Sequence, residues 1–484
     1  MSEFSINLEK YIHSKQYTIQ SFASVCDINR TLLQKYLSGQ RFPKNRDLLL
    51  KMIRHLCLTP EEKKELIESW KKEYLGEAVY LQQQSIRVML ESFGEMVQNR
   101  EYNLNISIKT QTEIKMMSQA VPISSRHMLV SLMWQVIEYE CKKKKAAFCL
   151  MCQAESDIMD SMMKYMVLQE NVSIRHLIRM NADKGENQQY NICLFNRIIP
   201  YICGKADYNV RFCYGDTSQM AAASVLSGIL ITEEFVFVFD ENLKRGILYK
   251  DSEFEHFWMS MFEERYMQTE PFLTKHESML DAVSFYQNQH PCDISCQLQP
   301  CLAYTLSGDL LHQAVRPSML GRRDIIEEFI NMMASWREKA LKKKKAANIN
   351  YFLASGIDDF LETGRVAEFP SEFYDPIPAP VRCRLLEIFC DQMESGLIEG
   401  YLINEAEFTF DSSLIIQTCG GEAVHFIYCQ PDGSQMIMRV TENNIVKAFA
   451  EFLDGLKDTD NVWTKEETIA YVREKLKNVS KDVL

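Results

Sequence analysis

Six consecutive residues, Lys-Lys-Lys-Lys-Ala-Ala, occur twice in this chain, at 142–147 and again at 342–347. A helical pattern containing Glu138 or Glu338 precedes each run, and a short apolar segment follows it. Neighbouring segments match in the same order. NISIKTQTE from Asn105 is mirrored by DISCQLQPC from Asp293, both alternating as strands do. SGILITEEFVFVF and the residues after it are mirrored by SLIIQTCGGEAVHFIYC, each leading through turns into an amphipathic helix. LTKHESMLDAVSFY from Leu273 matches WTKEETIAYVREKL from Trp463. These matches predict that residues 102–290 and 291–484 are two copies of one β/α unit packed about a pseudo-twofold axis. Length agrees, because 484 residues exceed what one hydrophobic core can organise.

The chain ahead of the repeats differs in charge. Residues 1–58 carry nine Lys/Arg against four Asp/Glu, a net of +5 within a chain of net -12. A small basic head on an acidic body suggests that the head meets a polyanion, which the body would repel. The hydrophobic content of 46% and charged content of 25% fit a soluble globular protein and exclude collagen and low-complexity disorder. The most apolar stretch, Ala221 to Phe239, is interrupted by Glu233 and Glu234, so no bilayer span is expected. Fifteen Cys without an apolar leader at the start are expected to be reduced thiols in the cytoplasm.

Within the head, Leu8 to His13 makes a first helical pattern and Thr18, a suitable N-cap, opens a second that places Phe22, Ala23 and Cys26 on one face. Asn29 can cap a third helix, RTLLQKYLS, burying Leu33, Tyr36 and Leu37 and stopping at Gly39. Asp47 to Leu56 supplies a fourth apolar stripe, and Thr59-Pro60-Glu61-Glu62 reads as a capping box opening a fifth helix. Two short helices joined by a tight turn, with a small Ala at their close approach, match the helix-turn-helix plan.

The run TIQSFASVCDINRTLLQKYLSGQRFP resembles the Cro/repressor (XRE) family of helix-turn-helix regulators over about residues 5 to 70. Asp27 departs from the family's usual Gly, and Leu37 stands where an acidic residue is common. The resemblance implies that Arg30, Thr31, Gln34 and Lys35 read bases. Their chemistry suits that role, with Arg and Lys for guanine, Gln for adenine and the Thr methyl for thymine. Gln20, Asn29, Gln40, Arg41 and Lys44 are expected at phosphates. The alternative for this head is a helical packing module with a solvated polar face.

After the head, two helices of about 60–75 and 77–98 are expected in a helical linker spanning 59–101. Ile86, Leu90, Phe93 and Val97 form a stripe that suits either a partner helix or the chain's own body. The Lys runs Lys142–Lys145 and Lys342–Lys345 follow predicted helices, where cations complement the helix dipole. The sharper alternative is a pair of anion or acidic-partner sites.

The order of elements in the body is similar to the phospholipase D-like fold, used without catalysis as a sensing domain in some regulators. Catalysis there needs His-x-Lys with a downstream Asp in each half. Here His13 is followed two residues later by Lys15, but it lies in the head. Cys149 and Cys152 make a Cys-x-x-Cys without a second pair at zinc spacing, so core thiols are expected, as for Cys292, Cys296 and Cys301. Trp134, Trp258, Trp336 and Trp463 are expected in the core. No phosphate-binding glycine loop and no zinc-protease or serine-hydrolase motif is present.

The expected architecture is multidomain: an all-α helix-turn-helix head (1–58) and an α/β (or α+β) body of two tandem copies of one β/α unit. The expected function is a cytoplasmic, sequence-specific transcription regulator binding double-stranded DNA as a homodimer. A small-molecule or protein effector would act on the body, with no membrane, no cofactor, no metal and no catalytic residue. Two alternatives remain, an antitoxin-like or scaffold protein binding a protein partner, and a cryptic hydrolase.

Overall fold

The computed structural model describes residues 1–98, 120–153, 156–182, 188–215, 226–240, 242–276, 292–302, 348–367, 375–430 and 434–482, with isolated positions at 305, 331, 335 and 338. The strand expected from Asn105, the Lys342–Lys345 run and Trp336 lie outside the described residues. The chain divides into two compact units, Met1–Ser85 and, but for a short segment before Tyr190, Ile86–Leu484.

The first unit is helical. α1 (Glu3–Ser14), α2 (Ile19–Val25), α3 (Arg30–Leu37), α4 (Arg46–Leu56) and α5 (Pro60–Leu75) surround one core. Each start is fixed by a side-chain cap: Ser2, Thr18, Asn29, Asn45 and Thr59 each accept from a backbone N–H in the first turn. Thr18 with Ser21 and Thr59 with Glu62 form reciprocal capping boxes. α5 is more than a connector, since Leu66 and Trp70 complete the same core as Phe4, Phe22 and Leu33. The Trp70 indole N–H donates to the Pro43 carbonyl at 2.7 Å, satisfying its polar edge while the ring is buried.

α6 (Glu77–Gln98) carries the stripe of Ile86, Leu90, Phe93 and Val97, all nearly inaccessible and packed in the body's own core. Of the two expected uses for that stripe, the body takes it.

The body is built on two mixed sheets. The first contains β1 (Ala120–Ile123), β2 (Ala146–Met151), β3 (Val172–Met180), β4 (Asp207–Tyr214), β5 (Gly228–Ile231), β6 (Val236–Phe239), β7 (Gly246–Tyr249) and β8 (Glu270–Pro271), in the order β1-β7-β6-β5-β2-β3-β4-β8. The second contains β9 (Thr274–His276), β10 (Ile294–Gln297), β11 (Ile349–Phe352), β12 (Glu399–Leu402), β13 (Leu414–Cys419), β14 (Ala423–Cys429) and β15 (Gln435–Val440), in the order β12-β11-β10-β13-β14-β15-β9. Read from β4 in the first sheet and from β12 in the second, both run three parallel strands and then four joined antiparallel, and the first sheet adds β8 antiparallel beyond β4. In that order β2 corresponds to β10 and β3 to β11.

The Lys-Ala match does not follow this correspondence. Lys142–Lys145 leads into β2, whereas the run at 342–345 precedes β11. The alignment drawn on it is therefore corrected: α7 (Arg126–Cys141) ends immediately before Lys142, and Lys is favoured wherever a helix end precedes a strand, whichever strand follows. The match of SGILITEEFVFVF with SLIIQTCGGEAVHFIYC does fall on corresponding strands, β5 and β6 with β13 and β14. The second sheet also takes its edge strand from ahead of position 291, since β9 pairs with β15 in the register His276↔Ile437.

Central strands are apolar on both faces, as buried parallel strands must be. On one face of the first sheet, Cys149, Leu177, Ile229, Val236 and Val238 pack against Phe262 of α10 (Ser252–Met267). The other face, lined by Phe148, Ile174 and Phe237, shares one continuous core with Cys296, Tyr351 and Phe426 of the second sheet. α8 (Asp157–Val167) and α9 (Gln188–Ile202) pack into that core, where Phe195 of α9 lies 5.0 Å from Phe426 and 5.7 Å from Phe449 of the helix Asn443–Leu456.

Candidate nucleic-acid interface

The turn between α2 and α3 is a Schellman motif. Asp27 N–H donates to the Ser24 carbonyl at 3.1 Å and Ile28 N–H to the Ala23 carbonyl at 3.0 Å, with Asp27 left-handed at φ 57°. The same closure ends α3, where Gly39 (φ 75°) donates to Tyr36 and Gln40 to Lys35. A Cβ at Gly39 would stand 3.1 Å from the Ser2 nitrogen, so both the φ and the close approach require glycine there. Asp27 manages its φ as one of the few side-chain-bearing residues that tolerate it.

These closures fix which face of α3 is presented. Leu33, Tyr36 and Leu37 are buried, Arg30, Thr31 and Gln34 are exposed, and Lys35 is half-buried. Asn29 is engaged locally, its side-chain oxygen accepting from Thr31 N–H at 2.8 Å. Gln20 on α2 meets this face, since Arg30 donates to its side-chain oxygen at 3.4 Å. Gln40, Arg41 and Lys44 follow on the exposed segment after α3. The residues expected to contact bases thus lie on one helix, and Gln20 lies against them.

Electrostatically the unit is less basic than its first 58 residues. Over Met1–Ser85 there are thirteen Lys/Arg against ten Asp/Glu, because α5 is acid-rich. Part of that acid is paired with α1, through Lys10–Glu65 at 3.4 Å and Lys15–Glu62 at 3.5 Å. Those pairs do not involve the basic side chains of α3 or of the segment after it.

The body has a separate cavity of about 450 Å³ that no contiguous motif announces. It opens where β2, β3 and β4 end and β5 begins, lined by Gln153, Arg179, Cys213, Gly228 and, from α10, Arg265. Carboxyl ends of parallel strands beside a switch in strand order are where open α/β sheets take ligands. Gln153 is locked by two bonds to Arg179, donating to its carbonyl at 2.8 Å and accepting from its N–H at 3.0 Å. At Gly228 a Cβ would collide with the Phe239 ring, so the wall there is bare backbone.

The cysteines of the Cys-x-x-Cys motif diverge. Cys149 accepts from the Arg175 guanidinium at 3.1 Å, and Cys152 lies 3.8 Å from the buried His176 ring. All fifteen cysteines are unbridged. Lys143 pairs with Glu140, Glu233 and Glu234, at 2.9, 3.2 and 2.9 Å. Among the described residues no helix is long and apolar enough to cross a membrane, and no group of three or more His, Cys, Asp or Glu is arranged to hold a metal ion.

No protein-family model matches this chain, and no curated protein matches it. Solved structures do. The archaeal chromatin protein TrmBL2, described as showing a novel mode of DNA binding, is 15% identical, with 52% of this chain and 87% of that one covered at a TM-score of 0.22. Phosphatidylserine synthase of Haemophilus influenzae is 8% identical, with 75% and 94% covered at 0.23. Polyphosphate kinase of Porphyromonas gingivalis is 8% identical, with 74% and 55% covered at 0.21. At these values the likenesses assign neither an activity nor a partner to this chain. They do correct one expectation: two of the three are enzymes by name, so missing paired His-x-Lys motifs do not establish that the chain lacks activity.

Proposed function

We propose that this chain is a sequence-specific DNA-binding transcription regulator of the Cro/repressor type, with α3 as its reading helix. One observation carries the reading: Arg30, Thr31 and Gln34 stand exposed on α3 directly after a Schellman turn, while Leu33, Tyr36 and Leu37 anchor its opposite face. A short helix held from behind and polar in front is what major-groove entry demands. Arg30, Thr31, Gln34 and Lys35 contact base edges in this reading, and Gln20, Asn29, Gln40, Arg41 and Lys44 hold phosphates.

The body serves as the sensing part, with the cavity at the ends of β2–β4 taking a small-molecule effector. The two sheets descend from one duplicated unit, a reading supported by their common strand order. The protein acts as a homodimer, because one head makes too few phosphate contacts for tight specific binding. An exposed apolar face on α10, formed by Phe254, Phe257 and Met261 at i, i+3, i+7, supports a dimer contact on the body.

Selection of bound duplexes from a random pool tests the reading. Recovered sites should be two-fold symmetric, with half-sites about one helical turn, or a multiple of it, apart. Equal affinity for a selected and a scrambled duplex at 150 mM salt, which is about physiological ionic strength, would overturn it.

A further inference from the structure

The amino end of β10 and the carboxyl end of β13 bring together a cluster that the DNA-binding reading does not use. The strands pair antiparallel with Ile294 opposite Thr418, which carries Asp293 opposite Cys419, with Cys292 one residue ahead of it. Two hydrogen bonds from backbone N–H groups fix the crossing. Asp293 N–H donates to the Thr418 carbonyl at 2.8 Å, and Gly420 N–H donates to the Asp293 carboxylate. The Cys292 and Cys419 side chains lie within hydrogen-bonding reach of each other. On the neighbouring strand the His425 ring presents Nδ1 at 3.6 Å from the Cys419 sulfur. Cys419 and His425 are buried and Cys292 is half-buried.

We propose that Cys292 and Cys419 form a reversible disulfide on reaction with hydrogen peroxide, Cys419 being the attacking thiolate and Cys292 the resolving thiol. In the first step the Cys419 sulfur attacks one peroxide oxygen. An S–O bond forms, the O–O bond breaks, and the departing hydroxide takes a proton to become water. In the second step the Cys292 sulfur attacks the Cys419 sulfenic acid. The S–S bond forms, the S–OH bond breaks, and hydroxide leaves with the Cys292 proton as a second water. Two thiols and one peroxide thus give one disulfide and two waters, and a dithiol reverses the change.

The division of roles follows from surroundings. The neighbouring Cys292, and then the His425 ring at 3.6 Å, pull the Cys419 thiol down to about 5. Burial pushes Cys292 up, and its own thiol donates to the Ile294 carbonyl at 3.0 Å. The nucleophile is the sulfur that is ionised near neutral pH, and its neighbour stays protonated until needed. Cys301 also lies near Cys292, which makes it the competing partner that the test must separate.

The test uses the full chain treated with a small excess of hydrogen peroxide, then alkylated and digested without reductant. The expected result is one linked peptide pair, Cys292 with Cys419, that disappears after dithiothreitol. In Cys292→Ser, Cys419 should accumulate as a sulfenic acid trapped by dimedone, and Cys419→Ser should give neither product. His425→Gln should slow the oxidation of Cys419 on the order of tenfold, with an unchanged far-ultraviolet circular dichroism spectrum marking an intact fold. A Cys292–Cys301 link, or oxidation of the exposed Cys57 ahead of Cys419 in the wild-type protein, overturns the proposal.

Discussion

The Tyr214 hydroxyl, at the end of β4, donates a 2.7 Å hydrogen bond to the carboxylate of Glu442. Glu442 is itself the N-cap of the helix Asn443–Leu456 and accepts from Ile445 N–H at 2.8 Å. One buried carboxylate therefore joins a strand of the first sheet to a helix of the second half of the body. Tyr214→Phe removes the link and leaves the cap, so a loss of about 1 kcal/mol is expected, below the usual range for a bond to a charged group because the phenol is partly solvated. Glu442→Ala removes the Tyr214 bond, the cap and a 3.1 Å bond from the Asn444 amide, and should cost about 2 kcal/mol. Urea unfolding followed by tryptophan fluorescence measures the two, and equal losses would show that the Tyr214 bond carries the whole effect.

Lys143 is the member of its Lys run with a structural duty. Its ammonium group lies 2.9 Å from the carboxylate of Glu140, which is 1% exposed. Burial raises the Glu140 pKa, and Lys143 opposes that rise. For Lys143 burial disfavours the charge, but the bonds to Glu140, Glu234 and Glu233 outweigh it and hold the ammonium above the usual lysine range. Lys143→Met strands a buried carboxylate and should cost about 3 kcal/mol. Lys142, Lys144 and Lys145 are exposed, and their change to Ala should stay within about 0.5 kcal/mol. A phosphate or acidic-peptide affinity that depends on all four residues alike would instead support an anion site.

What could be read from sequence was local. Thr18, Asn29 and the Thr59-Glu62 pair cap their helices because a cap needs only a side-chain oxygen within three residues of the N–H it accepts from. The stripe of Ile86, Leu90, Phe93 and Val97 was legible as apolar, but its partner was not, because periodicity fixes a face and leaves open what covers it. The Lys-Ala runs misled for a related reason: identity of letters carries no information on strand order, which follows long-range pairing. The cavity and the Cys292–Cys419 crossing arise from residues distant in sequence, and only the sheet register brings them together.

Asp27 gives a test of the turn that is independent of DNA. A residue with a side chain at φ 57° carries local strain of about 1 kcal/mol, less for Asp than for most. Its ion pair with Lys51 is long, 4.0 Å, and the carboxylate is almost fully exposed, so it offsets little. Asp27→Gly should therefore leave thermal stability unchanged or slightly raised. Asp27→Val, β-branched in a left-handed position, should lose about 2 kcal/mol. Comparable stability of the Gly and Val variants in calorimetry would mean that the turn relaxes away from this conformation.

His176 should make the body acid-sensitive. Its ring is fully buried, with Nε2–H donating to the Cys152 carbonyl at 2.9 Å and Nδ1 accepting from the Tyr208 hydroxyl at 2.8 Å. Burial pulls its pKa down to about 4 from the ordinary 6.5. The unfolded chain then binds the proton more readily than the folded one, so stability is full above pH 6.5 and falls as pH drops from 6.5 toward 4. The loss sums to about 3 kcal/mol at the lower end. Replacing His176 with Gln should flatten this part of the profile, read as urea midpoints at pH 7 and pH 4.5 for both proteins. Parallel profiles would show that other groups set the acid limb.

The α3 face should separate reading from mere attraction. Arg30 and Lys35 are expected at base edges, so Arg30→Ala or Lys35→Ala should each lose roughly 1 to 3 kcal/mol on a selected operator and relax preference at one base position. Lys44 lies beyond the end of α3 and is exposed, where a cation can reach the phosphate backbone. Lys44→Ala should weaken binding to every duplex alike and reduce the slope of log affinity against log salt by about one, because a phosphate contact releases a counterion without reading a base. Gln20 adds a control, since Arg30 already donates to it at 3.4 Å in the free protein. Losing that partner in Gln20→Ala should alter the pose of Arg30, shifting operator affinity with little change in salt slope. Gel-shift titrations on a selected and a scrambled duplex, each at two salt concentrations, resolve the affinity and slope terms. Should Arg30→Ala and Lys35→Ala behave as Lys44→Ala does on both duplexes, α3 is a basic surface and the groove is read by some other element.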